Sequence, residues 1–135
     1  MSDFSQYTAD QVADWMSQGT IASAPTDLYI ALFDDTGTEV SGDFANDRVQ
    51  TTAGADWNFI DAEETNFENG VNISFGEATT DVNNIQDVAI YDDTLANGGN
   101  EIARYEIDDA LFDVASGSEL SFPTGDLEFD VVQRT

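Results

Sequence analysis

The pattern of apolar and polar residues predicts one short helix near the start of the chain. Val12, Trp15 and Met16 recur at i, i+3 and i+4, the spacing that places side chains on one face of a helix. The neighbouring positions are polar or small. The pattern therefore predicts an amphipathic helix over about residues 9–18.

Residues at both ends of this segment support the prediction. Thr8 suits the N-cap position, and Gln11 three residues later completes a capping-box pattern. Asp10 would then lie in the first turn, where the helix dipole favours a negative charge. Gly19 is typical of the position just beyond a helix.

After Pro25 the periodicity becomes that of strands. The apolar run at 28–33 has strand length and is bounded by turn-forming residues, which is typical of a strand covered on both faces. Residues 88–91 form a second short apolar run of this kind. Val49 and Thr51 indicate an edge strand. Other segments alternate apolar and polar residues, as half-buried strands do, at 57–59, 71–75, 103–107, 120–122 and 127–131.

These segments predict a mainly β fold. About seven or eight short antiparallel strands, separated by turn signals and preceded by one short amphipathic helix, are typical of a β-sandwich or barrel-like domain. A chain of 135 residues has the size of one domain. We expect a single domain over 1–135, with the helix region at 1–19 and the β-sandwich at 26–135.

The charge composition says which solvent suits this fold. Acidic residues number 28 and basic residues three, all of them arginine, which gives a net charge of −25. Such a charge repels itself, and the repulsion is screened over about 8 Å at 0.15 M salt but only about 3 Å at 1 M. Because 41% of the residues are hydrophobic, the chain has material for a core. We interpret it as a folded halophilic protein. The alternative is an acidic domain that neutralises a cationic partner.

The same composition excludes several classes of partner. Nucleic acids and anionic membranes require a basic surface, which three scattered arginines cannot form. No apolar run approaches the length of a membrane span. The first residues lack the charged and apolar regions of a signal peptide. With no cysteine there is no disulfide framework.

Few residue types suited to catalysis are present. Histidine, cysteine and lysine are absent, which removes the usual bases, nucleophiles and Schiff-base residues. Two carboxylates suffice for glycoside hydrolysis when they are held at the right separation. We predict that the protein is not an enzyme, because acids are so frequent that pairs arise by chance. The pairs are Asp34 and Asp35, Glu63 and Glu64, Asp92 and Asp93, and Asp108 and Asp109.

Two acidic loops are weak candidates for a metal site. Asp34, Asp35 and Glu39 lie in a glycine- and threonine-containing stretch, but their spacing does not fit an EF-hand. Asp92 and Asp93 precede a loop rich in asparagine and glycine. Either loop could hold Ca²⁺, Mg²⁺ or Na⁺, and otherwise no cofactor is expected. The competing interpretation is that these acids cap backbone N–H groups in turns.

The aromatic residues allow one further hypothesis. Trp57 and Phe59 could line a sugar-binding surface, although a core or interface position is more common for such residues. Trp15 is best explained as the residue that docks the helix, either on its own sheet or on a neighbouring subunit.

An ordered set of short motifs extends over most of the chain. The set comprises the amphipathic helix, Leu28-Tyr29-Ile30-Ala31-Leu32, Gly37-Thr38-Glu39-Val40-Ser41-Gly42, Trp57, Ile73-Ser74-Phe75, Val88-Ala89-Ile90-Tyr91-Asp92 and the stretch 120–127. In this order the chain resembles the small virion proteins of tailed viruses that are often labelled tail-fibre-like. It departs from their pattern after the first strand, where a histidine-containing loop is replaced by Phe33-Asp34-Asp35-Thr36, and at 43–48.

The resemblance implies a structural virion subunit without catalytic residues. Together with the acidic composition it suggests a tailed virus of a haloarchaeon, assembled in the host cytoplasm and then exposed to high salt. We expect a capsid-surface decoration or turret subunit, and a symmetric trimer, pentamer or hexamer. Its contacts would be with itself and with other virion proteins, such as the major capsid protein or tail subunits, and the host surface is a further candidate partner. The residues expected at the interface are Phe4, Tyr7, Val12, Trp15 and Met16.

Two alternatives to the capsid surface stay open. One is a tail protein, namely a tail-tube, terminator or fibre-associated subunit. The other is an adhesion module that binds a glycan or Ca²⁺ on the host envelope.

Overall fold

The structure is a computed structural model that describes residues 2–21, 24–61, 66–107 and 112–130. In chain order the elements are β1 (Ser2–Phe4), α1 (Gln6–Gln18), β2 (Asp27–Asp34), β3 (Arg48–Thr52), β4 (Trp57–Asp61), β5 (Asn66–Asn69), β6 (Ile73–Glu77), β7 (Val82–Tyr91), β8 (Glu101–Glu106), β9 (Phe112–Val114), β10 (Glu119–Phe122) and β11 (Glu128–Asp130). The predicted fold class, mainly β with one short N-terminal helix, is confirmed. The division into domains stays a prediction.

Three antiparallel sheets make up the described part of the chain. The largest has the order β1-β8-β7-β2-β3, and β9 pairs with the beginning of β7. Strands β10 and β6 form the second sheet, and β11, β5 and β4 form the third. Strand β3 ends the large sheet, as expected for an edge strand.

The core lies between the large sheet and the two smaller ones. Ile30 and Val88 of the large sheet belong to one buried cluster with Phe75 of the second sheet and Trp57 and Phe129 of the third. On the other face of the large sheet, Ala31, Phe33 and Ala89 form a second buried cluster, against which Tyr91 packs. Because alternate residues of a strand face opposite ways, a strand covered on both sides needs a continuous apolar run, and β2 has one.

The helix begins earlier than its sequence predicts. Ser5 is the N-cap, its hydroxyl accepting a hydrogen bond from the Thr8 N–H at 3.2 Å, so the prediction of Thr8 as N-cap is wrong. Strand β1 causes the shift, because it pairs with β8 and places the Ser5 N–H on the Ile102 carbonyl at 2.9 Å. The predicted end is confirmed by Gly19, which is left-handed with φ 73°.

Several short strands appear where no strand was predicted. Strands β1, β5 and β9 have four residues or fewer, so they show little periodicity of their own, and their partner strands define them. The predicted strand at 71–75 begins only at Ile73. Val131, at the end of the predicted last strand, lies outside the described residues. No helix in the described ranges is long and apolar enough to cross a membrane.

Candidate functional site

The carboxylate of Asp34 organises its own turn. It accepts hydrogen bonds from the Thr36 hydroxyl at 2.6 Å, the Thr36 N–H at 2.9 Å and the Thr38 N–H at 3.0 Å. The Thr36 hydroxyl bond is the main reason that the pKa of Asp34 lies below its usual value. Burial opposes this effect, and the two backbone bonds lower the pKa further. Asp35 is exposed beside it. This is the arrangement of an acid that stabilises a turn.

Glu39 is turned inward and paired with Arg48. Both side chains are buried, with 1% and 0% of their surface exposed. The Arg48 Nε donates to Glu39 Oε2 at 2.9 Å, and Nη2 donates to Oε1 at 2.7 Å, which is bidentate geometry. The Asn97 N–H also donates to Oε1, at 3.0 Å. Glu39 therefore carries a structural ion pair.

Asp92 and Asp93 hold the loop that follows β7. Asp92 accepts from the Asn100 N–H at 2.6 Å and from its side-chain amide at 3.0 Å. Asp93 accepts from the Leu95 N–H at 2.9 Å. In the described part of the chain no group of three or more acids stands close enough to hold a metal ion. Asp34, Asp92 and Asp93 act within their loops, Glu39 pairs with Arg48 and Asp35 is exposed. Metal binding stays a prediction.

Two predicted acid pairs remain. Glu63, Glu64, Asp108 and Asp109 lie outside the described residues.

A stack of two aromatic rings with an arginine at each end covers the outer face of the large sheet. The guanidinium carbon of Arg48 lies 4.1 Å from the centroid of the Tyr91 ring, and that of Arg104 lies 4.0 Å from the centroid of the Phe33 ring. The two rings are stacked with centroids 6.1 Å apart. Each contact between an arginine and a ring is a cation–π interaction. The four side chains together cover the second buried cluster.

Acidic partners complete the stack at the Arg104 end. Burial opposes the charge on Arg104, but hydrogen bonds to Glu101 and Asp87 outweigh it and raise its pKa. Burial, then the negative charge of Glu101, raises the pKa of Tyr91. Both basic side chains in the described ranges are thus paired internally, and Arg134 lies outside those ranges.

Sequence reasoning missed this stack. The sequence did contain one indication of it. Two of the three arginines stand in strand segments, and in a chain this acidic an arginine within a strand indicates a buried acid that it neutralises.

Trp57 is a core residue. Its indole N–H donates to the Thr51 hydroxyl at 2.9 Å, and its ring packs edge-on against Phe67 and Phe129. This excludes Trp57 from a sugar-binding surface. Phe59, in contrast, is 66% exposed in the middle of the same strand.

The helix shows an unpartnered apolar face in the described structure. Trp15 is 57% exposed, and Val12 and Met16 beside it are also exposed, so Trp15 does not dock α1 on its own sheet. The contact with β8 is made near the start of the helix, where the Thr8 hydroxyl donates to the Ile102 carbonyl at 2.9 Å. Tyr7 is partly buried there and lines a shallow apolar pocket.

The interface residues predicted from sequence therefore divide into two groups. Val12, Trp15 and Met16 form one exposed patch, which we call the helix patch. Phe4 is exposed at the end of β1, and Tyr7 contributes to the packing of the helix. Contact with another subunit stays a prediction for all five.

Comparison with known proteins gives one match. The family model described as "Podophage GP4 fiber I protein gp80" matches residues 3–130. No curated protein matches the chain.

Proposed function

The chain belongs to the podophage GP4 fiber I protein gp80 family, and from this membership we propose that it is a non-enzymatic structural subunit of a viral tail fibre. The match carries the proposal because it runs from β1 to β11 and thus includes every described element. It supports the tail alternative more than decoration of the capsid surface. The protein would accordingly be a component of the virion.

The use of the acidic side chains agrees with a structural role. Asp34, Asp92 and Asp93 accept hydrogen bonds from the backbone of their own loops, and Glu39 neutralises a buried arginine. Groups engaged in this way stabilise loops, which is the structural use of acids that the proposal expects. The proposed role needs no cofactor.

The helix patch is the surface we propose for assembly. Three adjacent large apolar side chains, one of them a tryptophan, are expensive to leave in water, and aromatic residues dominate the energetics of protein interfaces. A second copy of the chain or a neighbouring virion protein would cover them, giving a closed homo-oligomer in the first case. The proposed medium of this assembly is molar salt.

The substitution Trp15→Asp tests the helix patch. A charge in the centre of a buried apolar interface is strongly unfavourable, so we expect the assembly to lose mass in analytical ultracentrifugation at about 2 M NaCl, where the Debye length is a few Å. Leu95→Asp is the matched control, because Leu95 is 67% exposed but lies in the loop after β7. An unchanged mass of the Trp15→Asp protein would contradict the proposed interface.

A further inference from the structure

A row of phenylalanines crosses the third sheet from the core to its edge. Phe129 of β11 and Phe59 of β4 both lie opposite Phe67 of the central strand β5. The rings of Phe129 and Phe67 stack with centroids 5.5 Å apart. Exposure rises along the row, from 1% at Phe129 through partly buried Phe67 to 66% at Phe59. Phe59 therefore ends the row, with Phe67 opposite it on one side and no described strand on the other.

The strand that carries this last ring is the end of its sheet. In the described ranges β4 pairs only with β5, so its far side presents backbone N–H and C=O groups to any strand that approaches. A register shift between Phe59 and Asp61 adds Ile60 to the exposed apolar residues. Edge strands are commonly protected by charges, proline or bulges. Residues 57–60 contain no charge and no proline, although the chain has 28 acids, and the register shift and Asp61 come only at the end of β4.

We propose that β4 pairs antiparallel with β4 of a second copy, about a two-fold axis at Phe59. The two sheets would become one continuous six-stranded sheet of order β11-β5-β4-β4-β5-β11, and the phenylalanine row would run through both copies. An interface of this kind is isologous and closed, and it adds main-chain hydrogen bonds to apolar contacts.

The charge pattern of β4 permits this partner and register, because Asp61 is its only acid. With Phe59 opposite its own copy, Asn58 lies opposite Ile60 and Trp57 lies opposite Asp61. Like charges directly opposite each other destabilise a strand pair, and over 57–61 this register opposes no two acids. Residues 57–60 of a second copy therefore form an uncharged stretch that an otherwise acidic chain can approach, and Asp61 of each copy lies opposite Trp57 of the other. The contact is separate from the helix patch and does not depend on the fibre role.

The substitution Phe59→Cys gives a specific test. Residues directly opposite in an antiparallel pair have Cα atoms about 4.5–5.5 Å apart, within the roughly 4.4–6.8 Å that a disulfide requires. Since the chain has no cysteine, the introduced thiol has only its own copy to react with. We expect a disulfide-linked dimer of twice the 14.6-kDa chain mass under mild oxidation in high salt.

Leu95→Cys is the control for random collision, because Leu95 is as exposed as Phe59 but lies in a loop. The proposal predicts that the Phe59→Cys protein cross-links at least about tenfold faster, as expected for thiols held in place instead of meeting by diffusion. Equal rates for the two variants would overturn it. So would a strand of a different protein occupying the edge, because the Phe59→Cys protein would then not link to itself.

Phe59→Asp tests the same contact without cross-linking. It places two carboxylates opposite each other at the axis. We therefore expect the assembly of the variant to have half the mass of the wild-type assembly in analytical ultracentrifugation. Circular dichroism in the same salt checks that the variant stays folded, which the exposure of Phe59 favours. An unchanged mass would overturn the proposal. Trp15→Asp tests the helix patch and Phe59→Asp tests the pairing of β4, so a negative result for one contact leaves the other contact untouched.

Discussion

At the scale of single residues, the buried pair of Glu39 and Arg48 joins distant parts of the chain. Besides its bonds to Glu39, Arg48 donates to the carbonyls of Asp93 at 2.6 Å and Gly98 at 3.1 Å. It therefore holds the loop after β7 against the segment after β2. A buried charge is tolerated when it is paired and hydrogen-bonded, and removing one partner leaves the other uncompensated.

Glu39→Gln tests this dependence, because it keeps the shape of the side chain and removes the charge. We expect it to lower the free energy of unfolding by about 3 kcal/mol, since Arg48 would stay buried without its counter-ion. Glu101→Gln is the control, because its partner Arg104 is 29% exposed, and we expect a loss of about 1 kcal/mol or less. Urea unfolding in high salt measures both values. Equal losses would show that burial of the pair is not the decisive factor.

At the scale of elements, one glycine allows strand β6 to sit where it does. Gly76 has φ +81°, and a Cβ atom built on it would lie 2.7 Å from the Cβ of Ala45. The residue after Ala45 is also bonded to this strand, because the Asn46 N–H donates to the Phe75 carbonyl at 3.1 Å. Opposite Gly76, strand β10 shifts register after Leu120. A side chain at position 76 would thus oppose both the backbone conformation and the packing.

Gly76→Ala and Gly54→Ala separate these two effects. Both glycines have φ +81°, but a Cβ at Gly54 would meet nothing within 4 Å. Gly54→Ala should cost about 1–2 kcal/mol from left-handed strain, and Gly76→Ala about 1–3 kcal/mol more from overpacking. Thermal melts of the two variants against the wild type measure the difference. Equal melting temperatures would mean that Ala45 moves away without cost.

At the scale of the whole molecule, the acidic charge is left almost entirely without compensation. Both arginines in the described ranges are paired with acids that stand beside them, so they do not neutralise the wider surface. The repulsion among surface carboxylates acts over about 8 Å at physiological salt and about 3 Å at 1 M. We therefore propose that stability and assembly both depend on screening by salt.

Dilution from molar salt to about 0.1 M should lower the melting temperature and reduce the mass of the assembly, because the Debye length grows to about 10 Å. Circular dichroism and analytical ultracentrifugation follow the two effects. Sucrose at low salt is the control, since it strengthens burial without screening charge and should restore stability only in part. If neither quantity changes on dilution, the halophilic interpretation is wrong and a cationic partner must be sought.

Sequence reasoning succeeded where a pattern is local and long enough to repeat. The helical spacing of Val12, Trp15 and Met16 and the apolar run of β2 are both confirmed as elements. The start of the helix could not be read in this way. Ser5 becomes the N-cap because the preceding residues pair with β8, nearly a hundred positions later.

The sequence by itself determined the fold class and the amphipathic helix, because both follow from the periodicity of neighbouring residues. Tertiary structure alone decided which candidates are available for contact. Trp57 and Phe59 are two residues apart on one strand, yet the first is in the core and the second lies at an open edge. Glu39 looks like a loop acid until Arg48 and Asn97, the latter 58 positions away, are brought to it. Burial depends on what other strands place beside a residue, and no local pattern contains that information.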